Sequence, residues 1–241
     1  MEVVNDNSCG WINNLPKREN IKSIHRDEIC DFLIVGAGYT GLSAARQLSK
    51  INSNFKIIII DAQLAGEGAS GRNSGYLVES TLNDSYSFKR DIEAYKKKIN
   101  IYDLGIKKVK EFIKNYQVDC DWNESGKYFA SSLIKDLKKI EKFKKILDGL
   151  DFENQILNEN QLKQRLGTNF YKTGIYTKGG ILLHPAKLVR AMIDVLPKNV
   201  VLLENSFLNS WRQFDSKIES IINSYKVISN KIIFCSNAFL S

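Results

Sequence analysis

Two histidines and four cysteines are all that 241 residues offer for metal ligation and thiol chemistry. The cysteines, Cys9, Cys30, Cys120 and Cys235, are scattered and form no CxxC pair, which argues against a zinc site and against a disulfide framework. Free thiols are expected instead. Asp119, Asp121 and Glu124 lie close together, but the ligand order of a calcium loop does not follow them, so no metal is expected. No apolar run reaches membrane-spanning length, and the first thirty residues lack the core of a signal peptide. A cytoplasmic protein without membrane association is the expectation.

The hydrophobic fraction of 43% and charged fraction of 26% are ordinary for a globular chain, and the length suffices for one large domain or two small ones. The net charge of +8 raises the question of a nucleic-acid partner, and its distribution answers it. Residues 86–149 hold 16 Lys and Arg against 10 Asp and Glu, an excess of six in one stretch. These lysines alternate with apolar residues at helical spacing, mix with acids and lack the interleaved aromatics of a single-strand binder. They read as solvated helix faces that could draw in an acidic substrate or partner, with no nucleic acid expected.

The most informative stretch runs from Asp31 to Gly75. An apolar run, Asp31–Val35, breaks into Gly36-Ala37-Gly38-Tyr39-Thr40-Gly41, then a helix-like segment from Leu42 to Leu48, then a second apolar run ending on Asp61. That order of strand, glycine turn, helix, strand and acid is the dinucleotide-binding fingerprint in its proper context. Gly36 permits the turn, Gly38 lets backbone approach a pyrophosphate, and Gly41 lets the helix pack closely on the sheet. The helix N-terminus offers N–H groups and a positive dipole end to the diphosphate, and the Asp61 carboxylate can accept from ribose hydroxyls. The plain alternative is a glycine turn in an ordinary βαβ unit.

This fingerprint alone leaves NAD and FAD both open. The next glycine-rich stretch, Gly66 to Gly75, favours FAD: four glycines allow close backbone approach, while Ser70, Arg72 and Asn73 supply donors for phosphate or a polar ring edge. Together with the first glycine loop, Asp61 through Gly75 resembles the FAD-dependent D-amino-acid-oxidase-type oxidoreductases, nearest the branch that contains γ-glutamylputrescine oxidase. The resemblance extends over nearly the whole chain.

It implies an α/β fold, with a Rossmann-like FAD-binding domain carrying a β-meander and an incomplete α+β substrate domain. The implied division is an N-terminal arm (1–30), a first part of the FAD domain (31–80), a partial substrate domain (81–179) and a truncated second part of the FAD domain (180–241). The resemblance places FAD against Gly36, Ala37, Gly38, Tyr39, Thr40, Gly41, Asp61, Ala62 and Gln63. It continues through Gly68, Ala69, Ser70, Gly71, Arg72, Asn73, Ser74 and Gly75, with Arg72 and Asn73 nearest the isoalloxazine. It adds Phe207, whose backbone would hold the adenine in place of the usual small aliphatic residue, and Ser236 and Asn237 near the diphosphate. No side chain is singled out as catalytic.

In such enzymes a hydride passes from the carbon next to nitrogen of a small amine or amino acid to flavin N5, and the imine hydrolyses. Relatives continue well beyond Ser241, so the expectation is a truncated enzyme. The alternative is a non-catalytic remnant or subunit completed by a second chain. An NAD-dependent dehydrogenase is a third possibility, against which the second glycine loop speaks.

Elsewhere, Trp11 and Leu15 are expected to pack on the body. Ile99, Tyr102, Ile106, Val109, Ile113 and Tyr116 mark one helix face, and Leu133, Leu137, Ile140 and Leu147 another. Residues 161–167 read as a short helix stopped by glycine, and Pro185 as the start of a further helix, with His184 positioning its entry. The tail reads as strands over 200–204, 207–214, 218–222, 225–228 and 231–235.

Overall fold

The computed structural model describes residues 9–78 and 92–239. The start of the arm, the boundary placed at 80/81 and the onset of the helical stretch before residue 92 lie outside these. The chain divides into two compact units: one comprises residues up to Ser74 together with His184 onward, the other Gly75–Leu183.

The first unit is built on a six-stranded sheet. Its parallel part comprises β1 (Glu28–Val35), β2 (Ile57–Ile60), β8 (Val200–Leu203) and β11 (Tyr225–Phe234), in the order β8-β2-β1-β11. β10 (Lys217–Ile222) and β9 (Leu208–Phe214) then extend the sheet antiparallel as a meander. The four isoleucines of β2 are all fully buried, as expected for a central parallel strand covered on both faces. Leu33, Ile58, Ile60, Leu203, Ile222 and Val227 form the cluster on one side.

Helix α2 (Tyr39–Ile51) buries Gly41, Leu42 and Ala45, and helix α7 (Pro185–Asp194) buries Leu188, Val189 and Met192. The two helices are tied together: Tyr39 Oη donates to Pro185 O at 3.0 Å, and Arg46 Nη1 donates to Val195 O at 2.7 Å. Two short helices, α1 (Gly10–Asn13) and α3 (Ala69–Arg72), complete the unit.

The tail corrects one expectation. The separate strands read at 225–228 and 231–235 are one ten-residue strand, β11. Tyr225–Ser229 pair antiparallel with β10 while Val227–Phe234 pair parallel with β1, so the polar pair Ser229-Asn230 is carried through within the strand and makes no turn.

In the second unit, β4 (Lys127–Ser131), β6 (Thr173–Thr177) and β5 (Asn154–Asn158) form an antiparallel sheet in the order β4-β6-β5. Helix α5 (Leu137–Gly149) packs on it through Ile140, Phe143, Ile146 and Leu147. Helix α6 (Glu159–Leu166) opens on a reciprocal Asn158–Gln161 capping box and ends on Gly167 at φ 70°. The long helix α4 (Ile92–Tyr116) carries the lysines, and its Lys110 pairs with Glu124 at 2.7 Å, so that carboxylate serves an ion pair.

A separate ladder joins β3 (Tyr76–Val78) to β7 (Gly180–Leu182), which is why both strands belong to the second unit. Among the described residues no helix is long and apolar enough to cross a membrane.

Candidate functional site

The glycine turn leaves β1 at Gly36, whose φ of 103° is a left-handed-side conformation that only glycine takes without strain. A Cβ there would lie 2.7 Å from the carbonyl oxygen of Cys235, just past the end of β11. Gly41 is crowded further: a Cβ would stand 1.9 Å from Gly36 O, so α2 can seat on the turn only through a glycine. A Cβ on Gly38 would meet Ser70 Oγ at 2.6 Å. The two glycine-rich stretches are thus in contact, and the Tyr39 N–H donates to Ser70 Oγ at 3.0 Å.

The N-terminus of α2 has Gly38 as its N-cap, with no side chain capping it and no acid in its first turn. One side-chain acceptor, Ser70 Oγ on the Tyr39 N–H, meets this end of the helix and, among the described residues, no carboxylate does, an arrangement that can accept an anion. Thr40, in that first turn, is exposed.

Asp61, just past β2, turns its carboxylate onto the loop: Ala37 N–H donates to Oδ2 at 2.8 Å and Gln63 N–H to Oδ1 at 3.0 Å. Burial pushes the Asp61 carboxyl above its ordinary value; the two N–H donors pull against that rise, and the nearby Glu204 charge adds to it. Ala62 is exposed, and Gln63 O accepts from Asn205 N–H at 3.2 Å. Asn237 has φ 53°, and Ser236, with its amide nitrogen 3.2 Å from where a Gly36 Cβ would stand, borders the same turn.

The second loop folds on itself. Gly66, at φ 76°, sits where a Cβ would fall 1.7 Å from Val189 Cγ1, and a Cβ on Gly71 would fall 2.2 Å from Gly66 O. Gly68 and Ala69, at the entrance to α3, are exposed, as is Ser74 after it. Arg72 Nε donates to Glu67 O at 2.7 Å, and Asn73 Nδ2 donates to Ser70 O at 2.8 Å and Ala69 O at 3.2 Å. These two side chains, read from the sequence as facing a flavin ring, spend donors on shaping their own loop. Gly75 falls in the second unit, where its carbonyl accepts from Leu183 N–H at 2.8 Å.

Phe207, read as the adenine contact, has its backbone bonded within the meander. Its N–H donates to Asn223 Oδ1 at 3.0 Å and its C=O accepts from Asn223 N–H at 2.8 Å. Both groups that would read an adenine edge are already paired within the meander.

His184 is buried and caps α7: its Nδ1 accepts from Lys187 N–H at 3.2 Å, and its ring meets Trp11 edge-on with centroids 4.8 Å apart. His184→Ala should cost about 1–2 kcal/mol from the lost cap and ring contact, whereas His184→Asn should recover the cap share. Urea unfolding midpoints of the two variants measure the difference. Burial pushes the Cys30 thiol up to about 12 and raises that of Cys235 as well, which keeps both protonated and poorly nucleophilic.

Sequence reasoning missed Glu204, Arg18, Glu67 and Arg190. Glu204 is 2% exposed and holds Arg18 through both carboxylate oxygens, with Nη2 to Oε2 at 2.9 Å. An acid ending an apolar strand was the available signal, and it reads just as readily as a solvent-facing strand end.

A glycine turn at the carboxyl end of a parallel sheet, an uncapped helix start and a carboxylate drawn over the turn define a dinucleotide-binding α/β protein of the Rossmann type. The residues fit the adenosine diphosphate part of such a cofactor. Comparison then narrows the class: the family model described as FAD dependent oxidoreductase (DAO) matches residues 31–241, and the chain belongs to that family, whose cofactor is FAD.

Among curated proteins, it is 27% identical over 223 residues to the gamma-glutamylputrescine oxidoreductase of Escherichia coli K12, an alignment covering 88% of this chain and 50% of the relative. Among solved structures, glycine oxidase from Geobacillus kaustophilus superposes with a TM-score of 0.72 at 15% identity, covering 87% of this chain and 55% of that one. The FAD-bound L-α-glycerophosphate oxidase from Mycoplasma pneumoniae superposes with a TM-score of 0.63 at 18% identity, covering 85% and 53%. The chain spans about half the length of these relatives.

Proposed function

We propose that the first unit holds FAD and that the protein serves the oxidation of the C–N bond of a small amine or amino acid. The reading rests on one observation above the rest: the Asp61 carboxylate is folded over the Gly36–Gly41 turn beside the uncapped start of α2. In this reading the backbone of Gly36 to Gly41 and the start of α2 hold the diphosphate. Asp61, with Ala62 and Gln63 beside it, faces the ribose, and the Gly68–Ser74 loop supports the flavin end. Ser236 and Asn237 border the diphosphate, and Phe207 is the adenine contact, through a backbone that also bonds Asn223. When bound, FAD supplies the hydride-accepting chemistry; the chain's residues bind it, orient it and keep Asp61 partly shielded from water.

The substrate class is supported by the family and by a relative that takes γ-glutamylputrescine. A second reading is a non-catalytic subunit whose FAD and substrate sites are completed by a second chain, favoured by Arg72 and Asn73, whose donors serve their own loop.

Titration with FAD and with NAD, followed by flavin fluorescence and equilibrium dialysis, is the test. The expected result is saturable binding of FAD and none of NAD; preference for NAD would overturn the proposal. Anaerobic addition of γ-glutamylputrescine, putrescine or glycine to the loaded protein should bleach the flavin band. Bound FAD that only dithionite can bleach would reject the enzymatic reading in favour of the second.

A further inference from the structure

The residues before β1 make a set of contacts that the sequence gives no hint of. Arg18 and Glu204 form a two-pronged ion pair with side chains only 14% and 3% exposed. The same Glu204 Oε1 accepts the N–H of Ala65 at 2.7 Å, and Arg18 Nη1 reaches Ala65 O at 3.5 Å. Ala65 is the residue from which the second glycine loop departs.

Further attachments flank this one. Glu204 N–H donates to Lys22 O at 2.7 Å, and Ile24 N–H donates to Ser206 Oγ at 3.0 Å. Arg190 Nη1 donates to Pro16 O while its Nη2 stands 3.7 Å from the carboxylate of buried Glu67, inside the glycine loop. At the far end Trp11 rests on His184.

We propose that residues 9–24 are a strap that presets the Ala65–Gly71 loop for the flavin end of the cofactor, with Arg18 and Glu204 as its positioning residues. The inference rests on the FAD reading above. Its physical basis is the loop's composition: Gly66, Gly68 and Gly71 make a segment that costs more backbone entropy to order than one with alanine at those positions. A loop fixed before the cofactor arrives spares the binding step that cost. One carboxylate oxygen shared between the arm's guanidinium and the loop's first N–H couples the two directly. Losing the arm therefore releases the loop, while the Gly36–Gly41 turn keeps its own supports in Asp61 and Cys235.

The test compares FAD with ADP, which engages only the first turn, in the full chain. Arg18→Ala strands a buried carboxylate and is expected to lower stability. The informative variant is therefore Arg18→Met with Glu204→Gln, which removes both charges, keeps the volume filled and leaves an amide oxygen to accept the Ala65 N–H. It should keep the wild-type melting temperature within a few degrees, lose about tenfold in FAD affinity, hold its ADP affinity within about twofold, and speed hydrogen exchange at the Ala65–Gly71 amides. Unchanged FAD affinity with unchanged exchange would overturn the strap, as would equal losses of FAD and ADP. A wild-type chain that binds neither nucleotide would sink the FAD reading; the exchange rates of the loop amides would then still decide whether the strap orders the loop.

Discussion

Gly41→Ala is expected to cost about 3 kcal/mol of stability, at the upper end for one added methyl in a packed site, and to abolish FAD binding. The added carbon would stand 1.9 Å from the carbonyl oxygen of Gly36, and neither partner is a movable side chain. Helix α2 must shift away from the turn, taking its uncapped N-terminus out of register with the site. Gly38→Ala is the control. Its Cβ meets the end of a serine side chain that can rotate, so a far smaller stability loss is expected, with the penalty concentrated in the Tyr39–Ser70 hydrogen bond. Thermal unfolding and FAD titration of the two variants side by side check the order. Equal tolerance of both substitutions would mean that α2 does not seat on the turn as described.

Asp61→Asn is expected to separate cofactor affinity from stability. Loss of a charged acceptor at a ribose is worth about 1.5–3 kcal/mol, a fall of roughly 10- to 100-fold in FAD affinity. Stability should respond in the opposite sense. The folded-state carboxyl of Asp61 lies above its ordinary value because burial disfavours its charge, so ionisation there costs folding free energy. That cost is absent at acid pH, below the unfolded-state value. It grows as pH rises through the ordinary carboxylate range and is fully present above the folded-state value. The cofactor-free wild type should therefore lose ground to the Asn variant as pH rises through that window, offset by whichever amide contact the variant gives up. Denaturation midpoints at acid and neutral pH, with no FAD added, measure this. A variant whose deficit instead grows with pH would show that the two N–H donors outweigh the desolvation.

The parts of the site that could be read from the sequence are those where physics leaves one residue type. A backbone at φ 103° accepts only glycine, as at Gly36, and so does a helix position pressed onto another residue's carbonyl, as at Gly41, so the two announce the turn by themselves. The Asp61 carboxylate was legible because it closes the strand, glycine turn, helix, strand and acid order of a dinucleotide-binding unit.

Other features depend on partners distant in sequence. Arg18 and Glu204 lie 186 positions apart, and nothing local distinguishes either from a surface charge. Arg72 and Asn73 carried the right donors, but their direction is set by the carbonyls of Glu67, Ala69 and Ser70, which a linear reading cannot place. The backbone of Phe207 is bonded to a turn asparagine sixteen residues on, a contact that a linear reading does not show. In the tail, the two short strands merged because β11 is held from both sides around Val227–Ser229, so the backbone of Ser229 is kept in the ladder although its buried hydroxyl has no partner among the described residues. β5 escaped notice altogether: its two central apolar residues are flanked by Asn and Gln, and pairing with β6 makes the strand.

The ladder between β3 and β7 has an architectural consequence. The chain leaves the sheet unit after Ser74 and re-enters it at His184, and the adjoining residues Gly75 and Leu183 are hydrogen-bonded at 2.8 Å. The doorway through which the whole of Gly75–Leu183 is grafted is thus one strand pair wide, about 5 Å. A segment entering and leaving at neighbouring points can be exchanged, lengthened or replaced by a tight turn without stretching its host.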